Sequence, residues 1–232
     1  MQFILKLNGG SMYFSVPGLL TAEDVARVGE KAGQLDWADG RSTAGRTAKT
    51  VKSNLQADMN NELGLGVHDF LMRAISGSSL VKRLARPKRF SRLILSRTEN
   101  GGHYGFHVDN AIMGRDGHQL RTDLSFTLFL SDPGSYSGGE LNLAMSAGDI
   151  DVKPEAGTLI LYPSGAIHQV RPVTSGSRLA CIGWIESRIQ RADQRELLFD
   201  LETVRSSLKA AHADQRLLLD KSISNLTRMW AD

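Results

Sequence analysis

Apolar residues recur at helical spacing early in the chain, where Val25, Val28, Ala32 and Leu35 follow Thr21-Ala22-Glu23-Asp24. Thr21 is placed to cap that helix, the acids fall in its first turn, and Leu20 precedes the cap as a staple for Val25. Leu63, Val67, Phe70, Leu71 and Ala74 keep the same period and predict a second helix over Asn61 to Ser76. Between the two, Asp39 to Gln56 is rich in Gly, Thr, Lys and Arg, and reads either as a connector or as a flap over a site.

From Phe90 the texture changes to short apolar or alternating runs. They are Phe90 to Arg97, His103 to Asp109, Leu124 to Leu130, Glu140 to Leu143, Asp149 to Lys153, Thr158 to Tyr162, Ile167 to Val170 and Arg178 to Ile185. Asp132-Pro133-Gly134, Ser137-Gly138-Gly139 and Pro163-Ser164-Gly165 punctuate them as turns. This pattern predicts a mainly β protein with flanking helices (α+β), its antiparallel strands folded as a double-sheet jelly roll. After Ser187 the helical period returns. Asp193-Gln194-Arg195-Glu196 reads as a capping box ahead of a stripe of Leu197, Leu201, Val204, Leu208 and Ala211. A last helix after Asp214 carries Leu219, Ile223, Leu226 and Trp230 on one side, to cover the jelly roll or to pair with a second copy in a homodimer.

A chain of 232 residues with 41% hydrophobic and 23% charged positions buries one sizeable core and is not disordered. The single Cys181 excludes an internal disulfide and fits a cytoplasmic setting. No apolar run reaches the roughly 20 residues needed to cross a bilayer, and Met1 to Gly10 lacks a basic region followed by a long apolar core. The net charge of +3 is modest, although Lys82, Arg83, Arg86, Lys88, Arg89, Arg92 and Arg97 follow one another without an acid between them. No helix-turn-helix, zinc-finger or aromatic RNA-binding motif accompanies that run, so it reads as a solvated face and no nucleic-acid partner is expected.

The candidate chemistry lies in His107-Val108-Asp109, followed by His168 and Arg178. A strand points alternate side chains to one face, so His107 and Asp109 are placed to grip one ion, with His168 as a third ligand from a later strand. Two imidazoles and a carboxylate leave half of an octahedral ferrous ion open, the arrangement of non-haem iron oxygenases. 2-Oxoglutarate chelates such an ion through its keto acid end, and its distal carboxylate then needs a fixed cation. Arg178, ten residues past His168, offers a planar and permanently charged fork for it.

These residues sit within Tyr104-Gly-Phe-His-Val-Asp-Asn-Ala, Arg121-Thr-Asp-Leu-Ser-Phe-Thr-Leu-Phe-Leu-Ser-Asp-Pro, Gly138-Gly-Glu-Leu and Leu161-Tyr-Pro-Ser, and so the chain closely resembles the bacterial PKHD-type hydroxylases. The resemblance implies a double-stranded β-helix (cupin-like) domain over residues 12–187 and a helical C-terminal domain over 188–232, with residues 1–11 an extra head outside it. It further implies iron ligands His107, Asp109 and His168, Arg178 for 2-oxoglutarate, O2 as oxidant and L-ascorbate as reductant. The expected activity is hydroxylation of an unidentified small-molecule or peptide substrate, with 2-oxoglutarate decarboxylated to succinate and CO2. Resemblance to the iron-uptake-associated branch adds a siderophore-related molecule as a hypothesis. The rival expectation is a cupin-like protein that binds metal or ligand without oxidation.

Neighbouring residues read more modestly. Tyr104, three before His107, falls on the opposite strand face unless a bulge intervenes, which makes it a core aromatic first and a co-substrate contact second. His103 reads as a loop residue flanking the strand. His68, His118 and His212 read as surface or structural residues, Cys181 as buried and inert, and Asn110 with Arg46 to Gln56 as an entrance for substrate.

Overall fold

The computed structural model describes residues 13–43, 48–114, 119–144 and 148–232. The expected head over residues 1–11, together with Arg46 and His118, lies outside them. Helix α1 (Ala22–Ala32) begins at Thr21, whose hydroxyl accepts from the Asp24 amide at 3.1 Å while the Asp24 carboxylate accepts from the Thr21 amide. Helix α2 (Glu62–Gly77) is capped by Asn61 and buries Val67, Leu71 and Ile75 one turn apart. Helix α3 (Ser79–Ala85) has no counterpart in the pattern read above. It is a short helix that buries Val81, Leu84 and Ala85, closed by Arg86 in the left-handed region.

Two antiparallel sheets carry most of the rest, beside two short ribbons that pair Ser137–Gly138 with Val173–Ser175 and Ile112–Met113 with Leu120–Arg121. The larger runs Phe14–Val16, Leu159–Pro163, Leu124–Phe129, Ser177–Ser187, Ile94–Glu99, Leu55–Ala57 and Trp37–Asp39, and Pro87–Phe90 also pairs with Ser177–Ser187. The smaller runs Ile150–Val152, Leu141–Leu143, His168–Val170, His103–His107 and Lys52–Ser53. The polar stretch Asp39 to Gln56 is thus partly sheet, since it contributes an edge strand to each layer.

Alternation sorts the larger sheet into two faces. Leu124, Phe126 and Leu128 pack with Leu159, Leu161, Cys181 and Ile185 in the main core, together with the buried residues of α1, α2 and α3. The intervening residues look the other way, where Phe129, Ile160 and Tyr162 meet Leu141, Leu143 and Val152 of the smaller sheet. Ser125, Thr127, Arg178, Ile182 and Trp184 share that inner face by register. Polar side chains at fully paired central positions are costly unless they serve a site, and this is the layer where the site lies.

Helices α4 (Ala192–Ser207) and α5 (Ala213–Trp230) follow the jelly roll. Ile189, Leu198 and Ile223 form a small cluster there with Leu201, Leu226 and Trp230. The capping box expected at Asp193 does not form. Arg191 at the cap position takes the Asp193 carboxylate instead, through bonds of 3.1 and 2.6 Å. The expected stripe is also displaced: Leu197 and Val204 are exposed, and the buried side of α4 is Arg195, Leu198, Phe199 and Glu202. Arg195 donates to the carbonyls of Ile189 and Gln190, and Glu202 receives Arg83 and Arg86. Lys88 and Arg89 likewise face Glu186, and Arg92 donates to the Met59 carbonyl, so much of the basic run is spent on internal contacts. No helix among the described residues is long and apolar enough to cross a membrane.

Candidate metal centre

His107 closes its strand, Asp109 follows two residues beyond the last pair, and His168 opens the strand alongside, opposite His107 in register. The expected strand through Asp109 therefore stops short, but the chain stays extended enough to keep both side chains together. One ligand atom of each of the three residues lies within 4.8 Å of the others. His168 Nε2 is 3.7 Å from Asp109 Oδ2 and His107 Nε2 is 4.0 Å from Asp109 Oδ1.

The imidazoles are oriented from behind. His107 Nδ1 is 2.8 Å from the Gly105 carbonyl and His168 Nδ1 is 2.9 Å from the Ala166 carbonyl. A carbonyl only accepts, so each Nδ1 carries the proton and each Nε2 turns its lone pair to the centre. Burial and the neighbouring His168 push His107 down to about 4, so it is neutral and ready to ligate near pH 7. The buried Ser125 hydroxyl donates to Asp109 Oδ2 at 2.6 Å and lies 2.8 Å from the Ser164 hydroxyl, which leaves Asp109 Oδ1 for an ion. Ser125→Ala is expected to weaken ferrous binding about 10- to 100-fold while the fold is kept, the usual cost of losing a group that orients a ligand. Calorimetric titration of the wild type and the variant with metal checks this, and equal affinities would deny Ser125 that role.

Tyr104 is where the structure departs from the plain alternation rule. His168 pairs with His107 but Val170 pairs with Tyr104, so the strand carries one extra residue between the pairs. This bulge turns Tyr104 onto the face of His107, and their rings stack with centroids 3.6 Å apart. Burial pushes the Tyr104 hydroxyl up to about 12, so it stays protonated. Tyr162 meets His168 edge-on at 5.0 Å from the opposite side. His103, expected in a loop, opens the same strand, with Nδ1 3.2 Å from the Gly101 carbonyl.

The three residues open into a cavity of about 890 Å3, counting its mouth. Arg178 reaches into it from the larger sheet and is 2% exposed, a figure that matters because its Nε and Nη2 have no hydrogen-bond partner. Phe129 lies under its guanidinium at 4.9 Å, and burial lowers its pKa although Tyr136 and Tyr162 counter the effect. Gly139, at φ +70, backs the Arg178 stem, and a Cβ there would come within 3.0 Å of Arg178 Cδ. The cavity also takes in Asn110, as expected of an entrance, and Lys52, Asn54 and Gln56 from the polar stretch. Ser96, Thr98, Thr127, Ile182 and Trp184 also line it, residues that the motif gave no reason to single out. Cys181 is buried on the other face, its thiol pushed up to about 12 by burial, and is inert.

An open three-ligand face and a buried guanidinium with unmet donors fit a ferrous ion and a dicarboxylate in the same cavity. Residues 93–186 match the 2OG-Fe(II) oxygenase superfamily. The chain is 42% identical to a PKHD-type hydroxylase of Hyphomonas neptunium, over 94% of this chain and 98% of that one. It is 40% identical to the PKHD-type hydroxylase YbiX of Escherichia coli, over 95% of this chain and 100% of that one. Among solved structures it is similar in fold to a Pseudomonas putida prolyl-4-hydroxylase, with a TM-score of 0.53, 21% identity and coverage of 76% and 92% of the two chains. HygX of Streptomyces hygroscopicus, with nickel, 2-oxoglutarate and hygromycin B bound, gives 0.52 at 14% identity, covering 77% and 84%.

Proposed function

The chain belongs to the PKHD-type hydroxylases, and on that footing we propose that His107, Asp109 and His168 hold its ferrous ion and that Arg178 receives the distal carboxylate of 2-oxoglutarate. It is an Fe(II)- and 2-oxoglutarate-dependent hydroxylase with a double-stranded β-helix core. The observation that carries the residue roles is the meeting of the three-ligand face and the unsatisfied Arg178 donors in one cavity. Ascorbate is the reductant typical of such enzymes.

The ion and 2-oxoglutarate supply, with O2, the oxidising chemistry: 2-oxoglutarate becomes succinate and CO2, and one oxygen atom ends in a substrate C–H bond. The protein's part is geometric and electrostatic. The backbone carbonyls behind His107 and His168 fix the tautomers, and Ser125 fixes the rotamer of Asp109. Arg178 selects a co-substrate by length and charge, because a shorter acid leaves its fork unpaired and a neutral one leaves it uncompensated. Leu141, Ile182 and Trp184 line the wall with apolar surface that keeps water from the reacting centre. Solved proteins of similar fold include both a prolyl-4-hydroxylase and HygX bound to hygromycin B, so the fold does not choose between a peptide and a small molecule. A reducing cytoplasmic setting suits the ferrous centre and the lone buried thiol of Cys181.

Anaerobic titration with ferrous iron and 2-oxoglutarate tests this reading. A weak visible charge-transfer band that needs both additions is expected, followed in air by succinate formation that a chelator stops. A folded, iron-loaded protein without the band would favour a non-catalytic metal-binding role.

A further inference from the structure

Asp109 lies beyond the last ladder pair of its strand, so the smaller sheet that carries both imidazoles does not by itself fix its carboxylate. The larger sheet reaches across to hold it. Ser125, on that sheet's inner face opposite Tyr162 and Trp184 in register, is fully buried and lies 2.6 Å from Asp109 Oδ2. Its hydroxyl has one proton, and a carboxylate only accepts, so that proton goes to Asp109. The 2.8 Å contact between Ser125 and Ser164 is then made with the proton of Ser164. Ser164 is 2% exposed, and two buried hydroxyls in series polarise one another, which strengthens the bond to the carboxylate.

Ser164 has a fixed seat. It follows Pro163, the last residue of its strand, and its amide donates to the Asp123 carbonyl at 3.3 Å. Asp123 is gripped in turn through both carboxylate oxygens by Arg121, and its Oδ2 also accepts from the Ser187 amide. The turn that begins at Pro163 closes when the Ala166 amide donates to the Pro163 carbonyl at 3.0 Å, and the Ala166 carbonyl is the one that orients His168. One turn therefore supports two of the three candidate ligands, His168 through a backbone carbonyl and Asp109 through two side-chain hydroxyls.

Building on the metal assignment above, we infer that Ser164 is a positioning residue for the metal centre and acts through Ser125. By donating to Ser125 it commits the Ser125 proton to Asp109, and so holds the carboxylate in the rotamer that meets the ion. Without the Ser164 hydroxyl, the Ser125 oxygen loses a donor and its own bond to Asp109 weakens. Ser164 does not line the cavity, so its effect is exerted on the ligand and not on a bound molecule.

Cobalt(II), an air-stable stand-in for the ferrous ion, tests the inference by calorimetric titration and by its visible absorption, which reports the donors around the ion. Ser164→Ala is expected to weaken cobalt binding about 3- to 10-fold, the size of one neutral hydrogen bond, and to shift the bound-cobalt spectrum. On Ser125→Ala the same exchange is expected to change affinity less than about 2-fold, because residues that act in series do not add. The spectrum of that double variant should match that of Ser125→Ala alone. Unaltered affinity and spectrum in Ser164→Ala overturn the inference. An equal loss in both backgrounds also overturns it, since Ser164 would then act by another route. A lower melting temperature of the metal-free Ser164→Ala protein with an unmoved cobalt spectrum would make Ser164 a structural residue, and overturns it as well. A folded wild type that binds no cobalt would reject the ligand assignment itself, and the inference with it.

Discussion

His168→Ala is expected to lose succinate formation altogether and to bind ferrous iron more than about 100-fold more weakly, beyond the 10- to 100-fold that loss of an orienting group costs. The reason lies in the number of donors. Two imidazoles and one carboxylate hold the ion on one face and leave the other open, and alanine reduces the set to His107 and Asp109. The fold should survive. His168 lies on the central strand of the smaller sheet and faces the cavity, packed on Tyr162 at 5.0 Å and on His107 at 4.2 Å, and not within the main core. Truncation there removes a buried imidazole that borders the cavity, so a loss of roughly 1–3 kcal/mol in stability is the upper expectation for a substitution of this kind. Metal titration beside a thermal melt separates the two effects. A folded His168→Ala protein with iron affinity within a few-fold of wild type would remove His168 from the ligand set and require a different third donor.

The parts of this molecule that could be read in sequence are those where local spacing and final position coincide. His107 and Asp109 are two residues apart in extended chain, which keeps their side chains together, and His168 joins them through the pairing of its strand with that of His107. Arg178 was legible because the fork, the charge and its distance from His168 agree with one ligand. Thr21 announced its helix because capping is local chemistry, and the apolar period announced the second one. Elsewhere the determining contact lies far along the chain. Lys52 enters the site only because its short strand pairs with Tyr104, and nothing in the polar run from Asp39 marks that register. Tyr104 itself was hidden by the bulge, since the strict alternation that locates His107 assigns Tyr104 to the wrong face. On α4 the buried side holds Arg195 and Glu202, whose partners are backbone carbonyls and two arginines of the earlier basic run. A hydrophobic stripe cannot reveal a face that is buried through polar pairing. Ser125 and Thr127 were visible as polar residues in a strand, but only the sheet shows that their face is the cavity.

Arg178→Met is expected to weaken 2-oxoglutarate binding at least about 30-fold, the lower end of the roughly 2–5 kcal/mol lost when a buried charged partner is truncated. The same substitution should leave metal binding intact and should not lower the stability of the protein without co-substrate. That second expectation is what makes the experiment decisive. A guanidinium held at 2% exposure, with Nε and Nη2 unbonded, is a burden on the folded state, and burial accordingly lowers its pKa. Phe129 below it offsets part of the cost, and the face of a ring does not bond those N–H groups. Methionine fills similar volume without the charge, and such exchanges are commonly neutral or stabilising by about 1–4 kcal/mol. An arginine retained for an internal ion pair behaves in the opposite way, because its removal strands an acid and destabilises the fold. Differential scanning calorimetry of the metal-bound protein, with and without 2-oxoglutarate, measures both quantities in one series. Wild type should gain melting temperature on adding 2-oxoglutarate, and Arg178→Met should start level with it or above it and gain little. A variant that melts well below wild type and still responds fully to 2-oxoglutarate would make Arg178 a structural residue, and would move the carboxylate site elsewhere in the cavity.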